Sequence, residues 1–126
     1  IKSITYHKKT RDGIEKVKYE EYHQFGQKIT ERNYRDGKED GLYTEWYENR
    51  QKEVEGTYKD GEKDGLWTDW YENGQKRSEG TYKDGERDGL FTRWYENGQK
   101  ELEVTIKDGE LVEVIGKWNE DGSVKE

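Results

Sequence analysis

Cysteine, methionine and alanine are all absent from the 126 residues of this chain. Without cysteine there are no disulfides, no thiol chemistry and no Cys-based zinc site. Without alanine, and with no apolar pattern of period 3.6, a helix has no support. Aliphatic residues are scarce too: 27% of the chain is hydrophobic and aromatic rings alone make up 13%, leaving little material for an ordinary core. No apolar run approaches the roughly 20 residues of a membrane helix, and no charged-then-apolar leader stands before residue 10. The composition predicts a soluble chain, too rich in rings to be disordered. A net charge of -7 opposes binding to nucleic acid or to anionic lipid. Beginning at Ile1 rather than Met, the chain reads as a processed product, an excised domain or a trimmed chain.

What is present is a repeat. Trp46, Trp70, Trp94 and Trp118 follow one another at steps of 24 residues, and Tyr34, Tyr58, Tyr82 and Ile106 keep the same step. Segments 58–81 and 82–105 agree at 18 of 24 positions, and 34–57 agrees with 58–81 at 16. Residues 10–33 keep Asp12, Gly13, Tyr22 and Gly26 but lose the second Asp-Gly pair. Residues 106–126 keep Asp108, Gly109, Trp118 and Gly122. Eroded units flanking regular ones are what terminal caps look like. The reading is one repeat domain, 1–126: a degenerate unit at 10–33, regular units at 34–57, 58–81 and 82–105, and a capping unit at 106–126.

Each unit reads as a β-meander, so the fold class is all-β: an elongated array of antiparallel hairpins with roughly ten strands. Leu66 to Tyr71 is rich in strand formers. Asn73-Gly74 predicts a two-residue type I′ hairpin, Lys76 to Tyr82 is the return strand, and Asp84-Gly85 and Asp88-Gly89 offer the next turn. That register sets Trp67 opposite Gly80, Tyr43 opposite Gly56 and Phe91 opposite Val104, so that ring size falls as the partner grows. A two-residue turn at Asp84-Gly85 sets Ser78 opposite Phe91. One face then carries Trp67, Tyr71, Gly80 and Tyr82, the other Leu66, Trp70, Arg77, Glu79 and Thr81. Neither is purely polar, which predicts a largely single-layer array with stacked aromatics as its core. Arg50 occupies the slot of Gly26, Gly74, Gly98 and Gly122, so its hairpin either uses another turn or is the weakest.

Asp60-Gly61, Asp64-Gly65-Leu66-Trp67, Trp70-Tyr71-Glu72-Asn73-Gly74-Gln75 and Glu79-Gly80, repeated from 34 to 105, resemble the MORN-repeat variant family of bacteria. Allowing for the degenerate ends, the resemblance covers about nine-tenths of the chain. It implies an all-β hairpin array that acts by binding. A subset of such proteins is labelled as antitoxin or immunity components of toxin systems, and other members are exported or surface-associated. Classical MORN proteins were credited with phosphoinositide binding, which the acidity of this chain opposes.

Three sets of residues invite a site. Asp60, Glu62, Asp64 and Gly65, then Asp84, Glu86, Asp88 and Gly89, open like a calcium loop, but Tyr71 and Tyr95 stand where the closing bidentate Glu belongs. Asp-Gly pairs are also ordinary turn chemistry, so the expectation is no metal and no cofactor. The aromatic ladder of Trp46, Trp70, Trp94 and Trp118, with Tyr47, Tyr71 and Tyr95 on the opposite face, is core where buried and a contact stripe where exposed. Between repeats, variation gathers at Glu53-Val54, Arg77-Ser78 and Glu101-Leu102, positions that tune a binding surface or drift freely. No catalytic constellation can be assembled from His7, His23, Ser3, Ser78 and Ser123.

The expectation is therefore a non-catalytic module that binds a protein partner. One version is an immunity or antitoxin protein, cytoplasmic, occluding a basic toxin domain. A second is an exported surface or adhesion module acting by avidity. An alternative class is glycan binding, since Trp-Tyr and Gly-rich hairpin repeats also resemble cell-wall-binding modules; exposed, evenly spaced Trp favours glycan, and buried Trp with a charged rim favours protein. No nucleic acid and no membrane insertion are expected, and the oligomeric state is open.

Overall fold

The computed structural model describes residues 1–126. Eleven strands and no helix make up the chain: β1 (Lys2–Thr10), β2 (Gly13–Tyr22), β3 (Lys28–Arg35), β4 (Lys38–Glu39), β5 (Gly41–Trp46), β6 (Lys52–Lys59), β7 (Glu62–Trp70), β8 (Lys76–Lys83), β9 (Glu86–Trp94), β10 (Lys100–Lys107) and β11 (Glu110–Lys117). They form one open antiparallel sheet in sequence order, with the two-residue β4 paired to β3 beside the main path. Every connection is local, as a chain with an apolar stripe in each strand and a turn signal every dozen residues dictates.

The pairings Trp67 with Gly80, Tyr43 with Gly56 and Phe91 with Val104 are those the sequence predicts. The turn behind them is different. Gly74 is left-handed (φ 88°) and Asn73 is not; Gly74 N–H donates to Tyr71 O at 3.0 Å and Tyr71 N–H to Gln75 O at 2.9 Å. This is a three-residue loop of a type I turn followed by a left-handed residue, not a type I′ turn. It shifts the pairing by one residue, giving Trp70 opposite Lys76. Arg77 is then bulged out, restoring Asp69 opposite Ser78. Loop and bulge cancel, so the inner register is unchanged. The bulge also takes Arg77 out of the strand alternation. Its guanidinium lies 5.8 Å over the Tyr71 ring, away from the Glu79 face where strict alternation would put it.

The type I′ turns sit instead at the Asp-Gly pairs, where both central residues are left-handed, as in Asp84 (φ 51°) and Gly85 (φ 82°). Beyond this turn β9 carries extra residues near Asp88-Gly89, and the register shifts so that Gly80, not Ser78, faces Phe91. The second Asp-Gly pairs Asp64-Gly65 and Asp88-Gly89 are thus irregularities within strands β7 and β9, with Gly89 at φ 109°, rather than turns, and Asp40-Gly41 stands at the break between β4 and β5.

Arg50 keeps the loop of its neighbours at the expense of backbone strain: φ is 72°, with Arg50 N–H to Tyr47 O at 3.0 Å. Arg50→Gly is expected to stabilise the chain by up to about 1 kcal/mol, the left-handed penalty less the flexibility glycine adds to the unfolded state. Urea denaturation checks it, with an unchanged or lower midpoint as the contrary result.

Only ten residues are buried, among them Tyr43, Trp67 and Val104. The ring of Trp67 lies 5.6 Å from Tyr43, 5.1 Å from Tyr58 and 6.3 Å from Tyr82, so aromatics do form the core, but tilted or edge-to-face at 34°, 83° and 72° rather than stacked. The glycine under each ring is not the hairpin partner proposed from ring size. A Cβ on Gly56 would come within 2.0 Å of Trp67, and one on Gly80 within 2.9 Å of Phe91. Each ring leans back over the preceding unit, which joins successive hairpins rather than closing one.

Candidate functional site

The WYENGQ stretch of each unit builds one rim of the sheet, and its letters have separate jobs. Tyr47, Tyr71 and Tyr95 donate their hydroxyls to the carbonyls of Trp70, Trp94 and Trp118, each 23 residues on, at 2.6, 2.7 and 2.7 Å. Asn49, Asn73 and Asn97 donate to the carbonyls of Glu72, Glu96 and Glu120 at 2.8, 2.9 and 2.7 Å. The same Asn oxygens accept the N–H of Gln51, Gln75 and Gln99. Two side chains of one unit therefore hold two carbonyls of the next. Tyr71→Phe is expected to cost about 1 kcal/mol by leaving the Trp94 carbonyl without that donor; a midpoint of urea unfolding equal to that of the unsubstituted chain would count against the staple.

Trp46, Trp70, Trp94 and Trp118 are half-buried and lie on the face opposite Trp67. Three of them face a lysine, Trp46 with Lys52, Trp70 with Lys76 and Trp94 with Lys100, and Trp118 pairs with Val124. Lys28, Lys76 and Lys100 also lie 5.6, 5.8 and 5.9 Å over the rings of Trp46, Trp94 and Trp118. Trp and Lys thus alternate strand by strand. The lysines are in turn held by carboxylates three residues on, in Lys52–Glu55 at 2.6 Å, Lys76–Glu79 at 2.9 Å and Lys100–Glu103 at 2.8 Å. On this face charge is neutralised in place.

The WYENGQ rim is different. Glu48, Glu72, Glu96 and Glu120 are exposed and repeat every second strand, a step of roughly 10 Å. Neither they nor the half-buried Glu53 enters any ion pair. Burial pushes the Glu53 carboxyl above the usual carboxylate range, and Glu45, Asp69 and Glu72 push it further against the pull of Arg77. Burial likewise raises the Tyr47 phenol, helped by Glu53 and Glu72. Around these tyrosines burial and the carboxylates Glu53, Glu72, Glu96, Glu101 and Glu120 raise the phenols, and Arg77 and Arg93 offset part of that field. A single unit carries only Glu72 as its share of this rim, and what the sequence conceals is that the other face is neutral, because that depends on which Lys meets which Glu.

The Asp-Gly loops hold their carboxylates apart. Asp40 accepts the Asp60 N–H at 3.2 Å and Asp88 the Asp108 N–H at 3.4 Å, so these two each cap the following unit's turn. Asp60, Glu62, Asp64 and Asp84 line one shallow depression together with Lys59 and Lys63, and no three acidic or histidine side chains converge to hold a cation. Glu86 and Asp88 occupy the same places one unit on. Ser78 and Ser123 donate to Asp69 and Asp121; Ser3 and His7 lie on the exposed strand β1, and His23 in the loop after β2.

A family model described as MORN repeat variant matches residues 39–60, 63–84 and 87–108, together more than half of the chain. No curated protein matches the sequence.

Proposed function

Because the chain belongs to the MORN repeat variant family, whose repeats are generally non-enzymatic modules that bind proteins or membranes, we propose that it binds a protein partner through a basic surface docked on the WYENGQ rim. The supporting observation is the unpaired carboxylate series Glu48, Glu72, Glu96 and Glu120, beside a Glu53 whose ionisation its neighbours oppose. A cationic partner relieves that repulsion, whereas an anionic membrane adds to it. Tyr47, Tyr71 and Tyr95 supply half-buried rings within the same strip. A basic toxin domain occluded by an immunity protein is the version closest to this chemistry, because occlusion needs fast, charge-steered association. An exported surface module is the other version, its repeats adding weak contacts.

Affinity capture with two baits tests it, the unsubstituted chain and a Glu48→Lys/Glu72→Lys/Glu96→Lys variant, with bound protein identified by mass spectrometry. A basic protein kept by the first bait and lost by the second, and released by salt, supports the reading; equal capture by both overturns it. The half-buried Trp row at roughly 10 Å steps favours a second reading, glycan binding. A glycan array run on the same preparations would then show binding that Trp70→Ala/Trp94→Ala removes.

A further inference from the structure

One cavity on the Trp67 face holds two cations that have no counter-charge, in a chain whose net charge is -7. Its volume is about 190 Å³, and it opens above Gly80, which pairs with Trp67 on one side and Phe91 on the other. Lys63 and Arg87 border it and converge on Tyr82 from the strands on either side. Lys63 Nζ lies 4.5 Å from the Trp67 ring and 5.0 Å from the Tyr82 ring. The Arg87 guanidinium lies 4.4 Å over Phe91, and its Nε–H donates to the Tyr82 hydroxyl at 3.2 Å. Neither enters an ion pair, although Lys63 also borders the depression that holds Asp60, Glu62, Asp64 and Asp84. At the other end Asp69 accepts the Ser78 hydroxyl and is the one carboxylate that lines the cavity. Arg93, across from Ser78, is held by Glu101 at 3.0 Å, and Glu45 lies a strand further on, beyond Val54. The cavity's own balance is two positive charges to one negative.

Departures from the repeat create this place. Ser78 stands where the neighbouring units have Val54 and Leu102, and Phe91 where the preceding unit has Trp67, so the space above Gly80 is left unfilled. Lys63 and Arg87 hold equivalent positions, which in the units on either side carry Glu39 and Leu111. Glu39 is itself paired with Arg32. Two cations, two rings and a short side chain therefore coincide once along the array.

We propose that this cavity binds a small aromatic carboxylate, a single ring with a hydroxyl opposite its carboxylate. The carboxylate accepts N–H groups of Lys63 and Arg87, which their contacts with the rings leave free. The ring of the ligand lies over Gly80 against Trp67 and Phe91. The Trp67–Gly80 and Asp69–Ser78 pairs are two residues apart, about 6.8 Å along the strands. That is the span of a para-substituted ring, so the hydroxyl reaches the Asp69 carboxylate and donates to it. Size agrees: a cavity of about 150 Å³ holds benzene, and this one admits a ring with its substituents but not a second ring. Charge agrees too, since one negative charge brings the balance of the cavity to zero and a cation is repelled.

Titration of the isotope-labelled chain with para-hydroxybenzoate, followed by NMR, tests the site, with benzoate and para-cresol for comparison. The Trp67 indole N–H and the Gly80 amide should shift and saturate, while the signals of Glu48, Glu72 and Glu96 on the WYENGQ rim stay in place. Benzoate, which offers Asp69 no donor, should bind at least about tenfold more weakly. Para-cresol, which lacks the carboxylate, should not saturate. Lys63→Gln/Arg87→Gln should abolish the shifts by removing both charges, at positions that are exposed or half-buried. Ser78→Leu should abolish them by a different route, filling the cavity with the residue found at position 102. In both variants the spread of the remaining signals shows that the fold is kept. No saturation in the millimolar range overturns the proposal, as does undiminished binding by the Lys63→Gln/Arg87→Gln variant. Equal affinity for benzoate and para-hydroxybenzoate overturns it as well, because Asp69 would then play no part.

Discussion

Trp67→Ala is expected to cost about 3–5 kcal/mol, the range for removing a large buried ring. The ring is 6% exposed and sits at the centre of the only extended aromatic cluster. It packs on Gly56, leans against Tyr43, Tyr58 and Tyr82, and carries the Lys63 ammonium 4.5 Å above it. Its Nε1–H donates to the Thr57 carbonyl at 3.1 Å. Domains of this size are stable by about 5–15 kcal/mol, so the variant should be close to unfolded at room temperature. In urea, followed by circular dichroism, the midpoint should fall far below that of Trp94→Ala, whose ring is half-buried on the other face. Equal losses in the two variants would mean that the 24-residue Trp row is as much core as Trp67.

At pH 7, Glu20→Gln should cost about 2–3 kcal/mol, and the loss should vanish in acid. Glu20 is 3% exposed. Burial by itself would raise its pKa, but Lys28 Nζ at 2.6 Å and the hydroxyls of Tyr6 and Tyr22 outweigh burial and hold it at about 2, against 4.5 for a free glutamate. A carboxyl with a lowered folded pKa contributes stability that is complete above its unfolded value and is lost as pH falls towards the folded one. The difference corresponds to about 3 kcal/mol, reduced because Lys28 is a third exposed and water screens it. The two chains should therefore differ in urea stability above pH 5 and converge near pH 2. A gap that persists unchanged at pH 2 would assign the effect to packing rather than charge.

The register was legible from residues 66–82 alone, yet for a reason the residues conceal. Asn73-Gly74 signals a tight turn, but one glycine supports one left-handed residue, and the loop takes three residues with Arg77 bulged to compensate. Nothing local to Arg77 marks it as a bulge. Asp88-Gly89 was illegible in the same way, since an Asp-Gly pair looks alike in a turn and in a strand. At the rim, Glu48, Glu72 and Glu96 can be read off the repeat, but their lack of partners cannot, because pairing depends on side chains three residues or a strand apart. The roles of Tyr71 and Asn73 also lie beyond local reading. Their acceptors are carbonyl groups 23 residues on, and any residue can offer a carbonyl.

That last feature bears on how the molecule can change length. Tyr47, Tyr71 and Tyr95 give the same bond to the same kind of acceptor, so units 58–81 and 82–105 each present to the successor what they receive from the predecessor. Units are interchangeable parts with matching plugs and sockets. Recombination that removes or duplicates a stretch of 24 residues within the regular units 34–105 leaves these Tyr and Asn bonds between units intact. The span of the sheet, and the number of carboxylates along its rim, can then vary in whole steps without any new contact having to arise.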